Sequence, residues 1–193
     1  MKKLAIFDLD GTLYDTREVN YLSYQKALRE VGYDVDREFF YEKCNGYHYK
    51  TFVPVIMADL QGEEHAETLA AKMEAVHVIK KASYASFLGH ALENTFLFDM
   101  IESMKETYHM ALVTTASRKN TEEILDYTGR RELFDLILCQ EDVSKKKPDP
   151  EGFLKAIEYF DANPEDTVIF EDSDVGIRAA LATGSKVVQI CKF

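Results

Sequence analysis

Tryptophan is absent from the 193-residue chain, and proline (4), cysteine (3) and glycine (9) are scarce. So little proline and glycine excludes a collagen-like or low-complexity polymer. The cysteines, Cys44, Cys139 and Cys191, are odd in number and far apart. That excludes a disulfide framework and a spaced thiolate metal site, and points to buried or incidental thiols in a reducing, cytoplasmic setting. No apolar run approaches the roughly 18 residues that a membrane helix needs. The N-terminal apolar run behind Lys2 and Lys3 stops at Asp8, too soon for a signal peptide. A membrane is therefore not an expected partner. Positive charge is also in deficit, 23 Lys and Arg against 34 Asp and Glu, for a net charge of −11. That field repels phosphate backbones, so nucleic acid is not an expected partner either. A small phosphorylated ligand remains open, because local charge can oppose the net charge.

What is present describes a folded chain. Hydrophobic residues make up 46% and charged residues 30%, which excludes a wholly disordered polymer. The length allows one domain, or one domain carrying a large insertion. Lys3–Phe7 is a short apolar run that ends abruptly at acids and Gly11, as a parallel strand covered on both faces would. Residues 110–113, 167–170 and 186–190 have the same character, and 136–139 is a weaker fifth. Helical patterns over 120–127, 150–159 and 175–182 separate the later strands; Pro150 suits a first helical turn and Gly184 a C-terminal cap. This alternation predicts an α/β fold, a Rossmann-like parallel sheet with helices on both faces. The long stretch after Asp15 breaks the rhythm. Tyr21, Tyr24, Leu28 and Val31 recur at helical spacing, as do Ala66, Leu69, Ala70, Met73 and Val76. We expect an all-helical cap over residues 16–89, inserted into a core made of 1–15 and 90–193.

Four strand ends carry polar residues suited to chemistry. Asp8-Leu9-Asp10-Gly11-Thr12 follows the first strand. Close carboxylates repel one another unless a cation or a shared proton neutralises them, and a hard cation such as Mg²⁺ suits oxygen ligands. Thr114 and Thr115 follow the next strong strand, where a hydroxyl and successive N–H groups can hold a phosphoryl oxygen or simply cap a helix, as Ser117 also could. Lys145-Lys146-Lys147-Pro148 precedes a helix; such a run is ordinarily a solvated loop, but a lysine there can also neutralise an anionic site. Glu171-Asp172-Ser173-Asp174 ends the fourth strand, with Asp174 the expected cap of the next helix. In a parallel sheet these ends lie on one edge and can converge.

Asp8-Leu9-Asp10-Gly11-Thr12, Thr114, Lys147-Pro148 and Glu171-Asp172-Ser173 resemble, in order, the four motifs of the haloacid dehalogenase superfamily. The inserted helical block is similar to the cap of its phosphoglycolate phosphatase and β-phosphoglucomutase members. The resemblance implies a Mg²⁺-dependent phosphatase acting on a small phosphorylated metabolite. Asp8 would be the nucleophile that becomes an aspartyl-phosphate, and Asp10 the acid and then the base. Asp8, the Asp10 carbonyl and Asp172 would hold Mg²⁺, with Glu171 a ligand or a neighbour to one. Thr114, Thr115 and Lys147 would hold the phosphoryl group. Within the cap, Tyr47, His48 and Lys50 are the candidates for substrate specificity, although both Tyr47 and Tyr49 could instead pack inside it. Mutases of the family usually carry a His where Asn20 stands and an Arg near Tyr49, which argues for hydrolysis over phosphoryl return to a sugar. A phospho-accepting signalling domain also groups acids, a Thr and a Lys-Pro, but it is shorter, lacks the inserted block and has no acid pair after the Lys.

Overall fold

A computed structural model describes residues 2–191; residues 1, 192 and 193, which the expected core includes, lie outside the described residues. The chain forms two compact units, Met1–Asp15 with Leu92–Phe193, and Thr16–Ala91.

The first unit is built on a five-stranded parallel sheet. Its strands are β1 (Lys3–Phe7), β4 (Tyr108–Val113), β5 (Leu136–Leu138), β6 (Thr167–Glu171) and β7 (Lys186–Gln189). Their order is β5-β4-β1-β6-β7, so β1 is central and pairs with β4 and β6 on its two sides. That position explains why Leu4, Ala5, Ile6 and Phe7 are all fully buried. Successive side chains point to opposite faces. Leu4 and Ile6 meet Phe153, Ala156 and Ile157 of helix α7 (Glu151–Tyr159) and Ala179 and Ala180 of α8 (Asp174–Leu181) in one buried cluster. Phe7 stacks on Phe170, its register partner, with ring centroids 4.6 Å apart, and meets Phe134 edge-on. Fully burying each such ring is worth roughly 1.5–3 kcal/mol.

The strands differ from the apolar runs at their ends. β4 begins two residues earlier, at the half-buried Tyr108 and His109, and β6 carries its pairing through Glu171, which is opposite Gln189. Helix α6 (Arg118–Thr128) is capped by Ser117, whose hydroxyl accepts from the Asn120 amide, so Thr114 is not its cap. Ser173, rather than Asp174, caps α8 by accepting from the Gly176 amide. Asp174 is the first helical residue, where a negative charge still suits the helix dipole. Pro150 occupies the cap position of α7. A two-residue antiparallel pair, β2 (Tyr14–Asp15) with β3 (Leu92–Glu93), is too short to register in the hydrophobic pattern. Helix α5 (Thr95–Met104), capped by Asn94, then leads into β4.

The second unit contains α1 (Arg17–Glu30), α2 (Arg37–Lys43), α3 (Tyr49–Ile56) and α4 (Ala66–Ser83), with short 3₁₀ turns. Its core joins Tyr21, Leu28, Phe40, Phe52, Val53 and Val76. Val31 falls at the end of α1, and Ala66 and Ala70 are exposed on α4. Lys80 is buried with its ammonium over the rings of Tyr24 and Tyr84, at 5.3 and 4.6 Å. No described helix is long and apolar enough to cross a membrane.

Candidate active site

Because the strands are parallel, the C-terminal ends of β1, β4 and β6 share one edge, and the polar motifs follow directly there. Asp8 is the first residue past β1; its amide donates to the Phe170 carbonyl at 3.0 Å, which continues the sheet pairing and fixes its backbone. The chain then turns tightly. The Leu13 and Tyr14 amides both donate to the Leu9 carbonyl, and Gly11 donates to the Tyr14 carbonyl. Gly11 has φ of 92°, and a Cβ there would strike the Asp172 carboxylate, whose Cγ would lie 2.6 Å away. Glycine is thus required twice, by backbone and by space.

Lys147 reaches the same point from the loop before α7. Its Nζ donates to Asp8 Oδ1 at 2.5 Å, to Glu171 Oε1 at 2.7 Å and to the Val113 carbonyl at 3.1 Å. All three ammonium protons are thereby used, and the side chain is only 7% exposed. The ammonium also lies 4.8 Å from the Phe153 ring centre. Glu171 is equally pinned. Its second oxygen accepts from the Ser173 amide at 2.8 Å and the Ser173 hydroxyl at 3.0 Å. Asp172 accepts from the buried Thr12 hydroxyl at 3.2 Å.

Three carboxylates, Asp8, Glu171 and Asp172, bring ligand oxygens within 4.8 Å of one another, and two of them, Asp8 and Glu171, pair with the buried Lys147 ammonium. Burial pushes Asp8 up to about 8, against the pull of Lys147 and with help from Glu171 and Asp10. Burial and the Glu171 charge push Asp172 up to about 6. For Lys147, burial works downward, but attraction to Asp8 and then Glu171 overcomes it and the net direction is upward. Three acid side chains gathered beside the Lys147 ammonium make an all-oxygen donor set, and such a set fits a hard divalent cation such as Mg²⁺. Glu171 already meets Lys147 and Ser173, whereas Asp172 accepts from the Thr12 hydroxyl and faces the Asp8 turn.

Thr114 is buried beside Val113; its amide donates to the Leu138 carbonyl, and its hydroxyl accepts from the Ala116 amide at 3.0 Å. Thr115 is exposed in the following turn. A small crevice is lined by Val113, Thr114, Thr115, Cys139, Lys147 and Phe153. Asp10 sits half-buried in the turn. Tyr47, His48 and Lys50 belong to the other unit and are exposed. His48 caps α3, its Nδ1 accepting from the Lys50 amide, and only Tyr49 packs inward, stacked on His77 at 4.4 Å. Tyr47 does not pack into that core; it is 62% exposed. Sequence reasoning missed the holding roles of Ser173, Thr12 and the Val113 carbonyl. The residue types were visible in the motifs, but the partners of Thr12 and of the Val113 carbonyl, Asp172 and Lys147, lie far away in sequence.

A parallel sheet whose strand ends gather clustered acids, a lysine and a threonine defines a Rossmann-like hydrolase. The sequence profile of the haloacid dehalogenase-like hydrolases matches residues 5–190, and the chain belongs to that family. Among its relatives is fructose-1-phosphate phosphatase YqaB of Escherichia coli K12, 30% identical over 96% of this chain and 94% of that protein. A phosphorylated carbohydrates phosphatase of Thermotoga maritima is 28% identical over 93% of this chain and 81% of that protein. Among solved structures, CbbY of Rhodobacter sphaeroides in complex with phosphate aligns with a TM-score of 0.80 at 27% identity, covering all of this chain and 88% of that one.

Proposed function

We propose that this phosphoric monoester hydrolase acts on a small phosphorylated sugar or related metabolite, through an aspartyl-phosphate formed on Asp8. The observation that carries the reading is the Lys147 ammonium, buried at the end of β1 between Asp8 and Glu171. A free carboxylate is a weak nucleophile toward a phosphate dianion. A fixed cation beside it draws the phosphoryl oxygens in and follows charge into the transition state without having to reorganise.

In this reading an oxygen of Asp8 attacks phosphorus and the bond to the leaving alkoxide breaks. Asp10 supplies the proton that the alkoxide takes up. Asp10, now a carboxylate, removes a proton from water, and the hydroxide oxygen attacks phosphorus. The bond to Asp8 then breaks, releasing phosphate and restoring both side chains. Lys147, with the Thr114 hydroxyl and the turn at Thr115, holds the phosphoryl oxygens. Asp8, Asp172 and the Asp10 carbonyl would hold Mg²⁺, with Glu171 as a ligand or as the group that fixes Lys147. When bound, Mg²⁺ screens the charge between carboxylates and phosphate.

The Thr16–Ala91 unit serves as the cap, with Tyr47, His48 and Lys50 reading the organic part of the substrate. Hydrolysis is favoured over sugar-phosphate isomerisation because the cap offers Lys50, a point charge, where a planar guanidinium would grip a distal phosphate by two oxygens. Tyr49 is committed to the cap core, and Asn20 donates to the Thr16 hydroxyl at 3.3 Å. The test is a panel of phosphorylated sugars, nucleotides and small acids assayed for phosphate release with Mg²⁺. It runs beside conversion of β-glucose 1-phosphate to glucose 6-phosphate with a bisphosphate primer. Phosphate release from a sugar phosphate that outpaces isomerisation is the expected result; isomerisation clearly faster than release overturns it.

A further inference from the structure

Lys147 lies on an irregular loop, yet its Nζ meets three partners at 2.5 to 3.1 Å. A loop presents an ammonium that exactingly only if its backbone is itself held. Within the loop, the Asp149 amide donates to the Lys146 carbonyl, and the Glu151 amide donates to the Asp149 carboxylate. The strongest anchor comes from the first residue of α7. The two oxygens of Glu151 accept separately from the Ser144 amide at 2.9 Å and the Lys145 amide at 2.8 Å. Lys155, one turn on, donates to Glu151 Oε1 at 2.8 Å and to the Asp142 carbonyl at 2.7 Å.

We propose that Glu151 is a positioning residue for catalysis: its carboxylate grips two successive backbone N–H groups and so sets where Lys147 points. The inference rests on the reading that Lys147 holds the transferring phosphoryl group. The geometry reaches the Thr114 loop as well. The Asp142 carboxylate accepts from the Cys139 amide at 2.7 Å and from Arg118 at 2.5 Å, and the Gln140 amide donates to the Ala116 carbonyl at 3.0 Å. The stretches carrying Thr114 and Lys147 are therefore tied to one shared turn. Lys155, and then the Ser144 and Lys145 amides, also lower Glu151 to about 2. A neutral Glu or a Gln cannot replace it, since an amide offers one acceptor oxygen and turns a donor toward the second N–H.

The experiment compares wild type with Glu151→Gln, Lys155→Met and Lys147→Met. It measures kcat and KM for p-nitrophenyl phosphate, the inhibition constant of inorganic phosphate, and the melting temperature. Displacing a reacting group by about 1 Å can cost a hundredfold. Glu151→Gln is therefore expected to lower kcat by about tenfold or more and to weaken phosphate inhibition at a temperature where the variant is folded. Lys155→Met leaves both acceptor oxygens in place, and its kcat should stay within about twofold of wild type. A merely structural Glu151 would lower the melting temperature and leave kcat and phosphate inhibition unchanged, which overturns the proposal. So does an equal loss of kcat in Lys155→Met. If Lys147→Met itself keeps its activity, the underlying reading of Lys147 fails, and the pattern of variants tells the two failures apart. Should the glutamine variant not fold, amide exchange in the wild type decides. Protected Ser144 and Lys145 amides support the clamp, and exchange at free-loop rates overturns it.

Discussion

Gly176 offers a test in which local and tertiary physics predict opposite signs. It lies inside α8, where replacing Gly by Ala ordinarily gains about 1 kcal/mol of helix stability. Here the added methyl carbon would fall on the Glu171 carboxylate. Glu171 cannot simply step aside. Its side chain is 1% exposed and is held by the Lys147 ammonium at 2.7 Å and by the Ser173 amide and hydroxyl. Moving it separates a buried ion pair, which costs about 3–5 kcal/mol when one partner is left uncompensated. Less the helix gain, Gly176→Ala should lose roughly 2–4 kcal/mol, or about 5–15 °C in Tm for a chain of this size. Because the same ammonium touches Asp8, phosphate release should fall by at least about tenfold in protein that remains folded. Circular-dichroism melts and a phosphate-release assay read both effects. A variant that melts at or above the wild-type temperature with unchanged turnover would refute the claim that Glu171 is fixed against α8 and fixes Lys147 in turn.

Asp8→Asn should abolish turnover while the protein still folds, because the amide keeps the shape and is a far poorer nucleophile; activity comparable to wild type would exclude the covalent route. Turnover should require a divalent cation, with Mg²⁺ sufficient and Ca²⁺ a poor substitute, since Mg²⁺ holds a compact octahedron at ~2.1 Å while Ca²⁺ takes more and longer bonds. Full activity in excess chelator would remove the metal from the account. Glu151, lowered from 4.5 to about 2 by Lys155 and the two loop amides, stabilises the fold fully above pH 4.5 and loses that contribution as the pH falls toward 2. The stability difference between wild type and Glu151→Gln, followed by denaturant melts, should therefore shrink across that window, and a constant difference would contradict the assignment.

The sheet was legible because a strand covered on both faces leaves a mark that needs no tertiary knowledge. Leu4–Phe7 reads as apolar throughout, and β1 is the central strand. The ends of elements were less legible, since they depend on hydrogen bonds rather than on burial. Ser173 takes the cap of α8 because its hydroxyl faces the Gly176 amide, and Asp174 falls one residue inside the helix. The three-lysine run looks solvated, and Lys145 and Lys146 are exposed. Only Lys147 turns inward, toward acids that lie 139 and 24 residues away in sequence, and no local pattern encodes that choice. The neighbouring tyrosines make the same point. Tyr49 enters the core once α3 begins at that residue, and Tyr47, two positions earlier, is left exposed.

The covalent route through Asp8 is tested most directly by Asp10→Asn with p-nitrophenyl phosphate. p-Nitrophenolate leaves without a proton, so the first displacement survives the loss of the acid, whereas hydrolysis of the intermediate lacks its base. Rapid mixing should give a burst of p-nitrophenol approaching one equivalent per enzyme, followed by slow turnover. Acid quench, borohydride reduction and peptide mass spectrometry should then find homoserine at position 8. Steady release without a burst, or a phosphoryl group trapped at any other residue, would contradict the account.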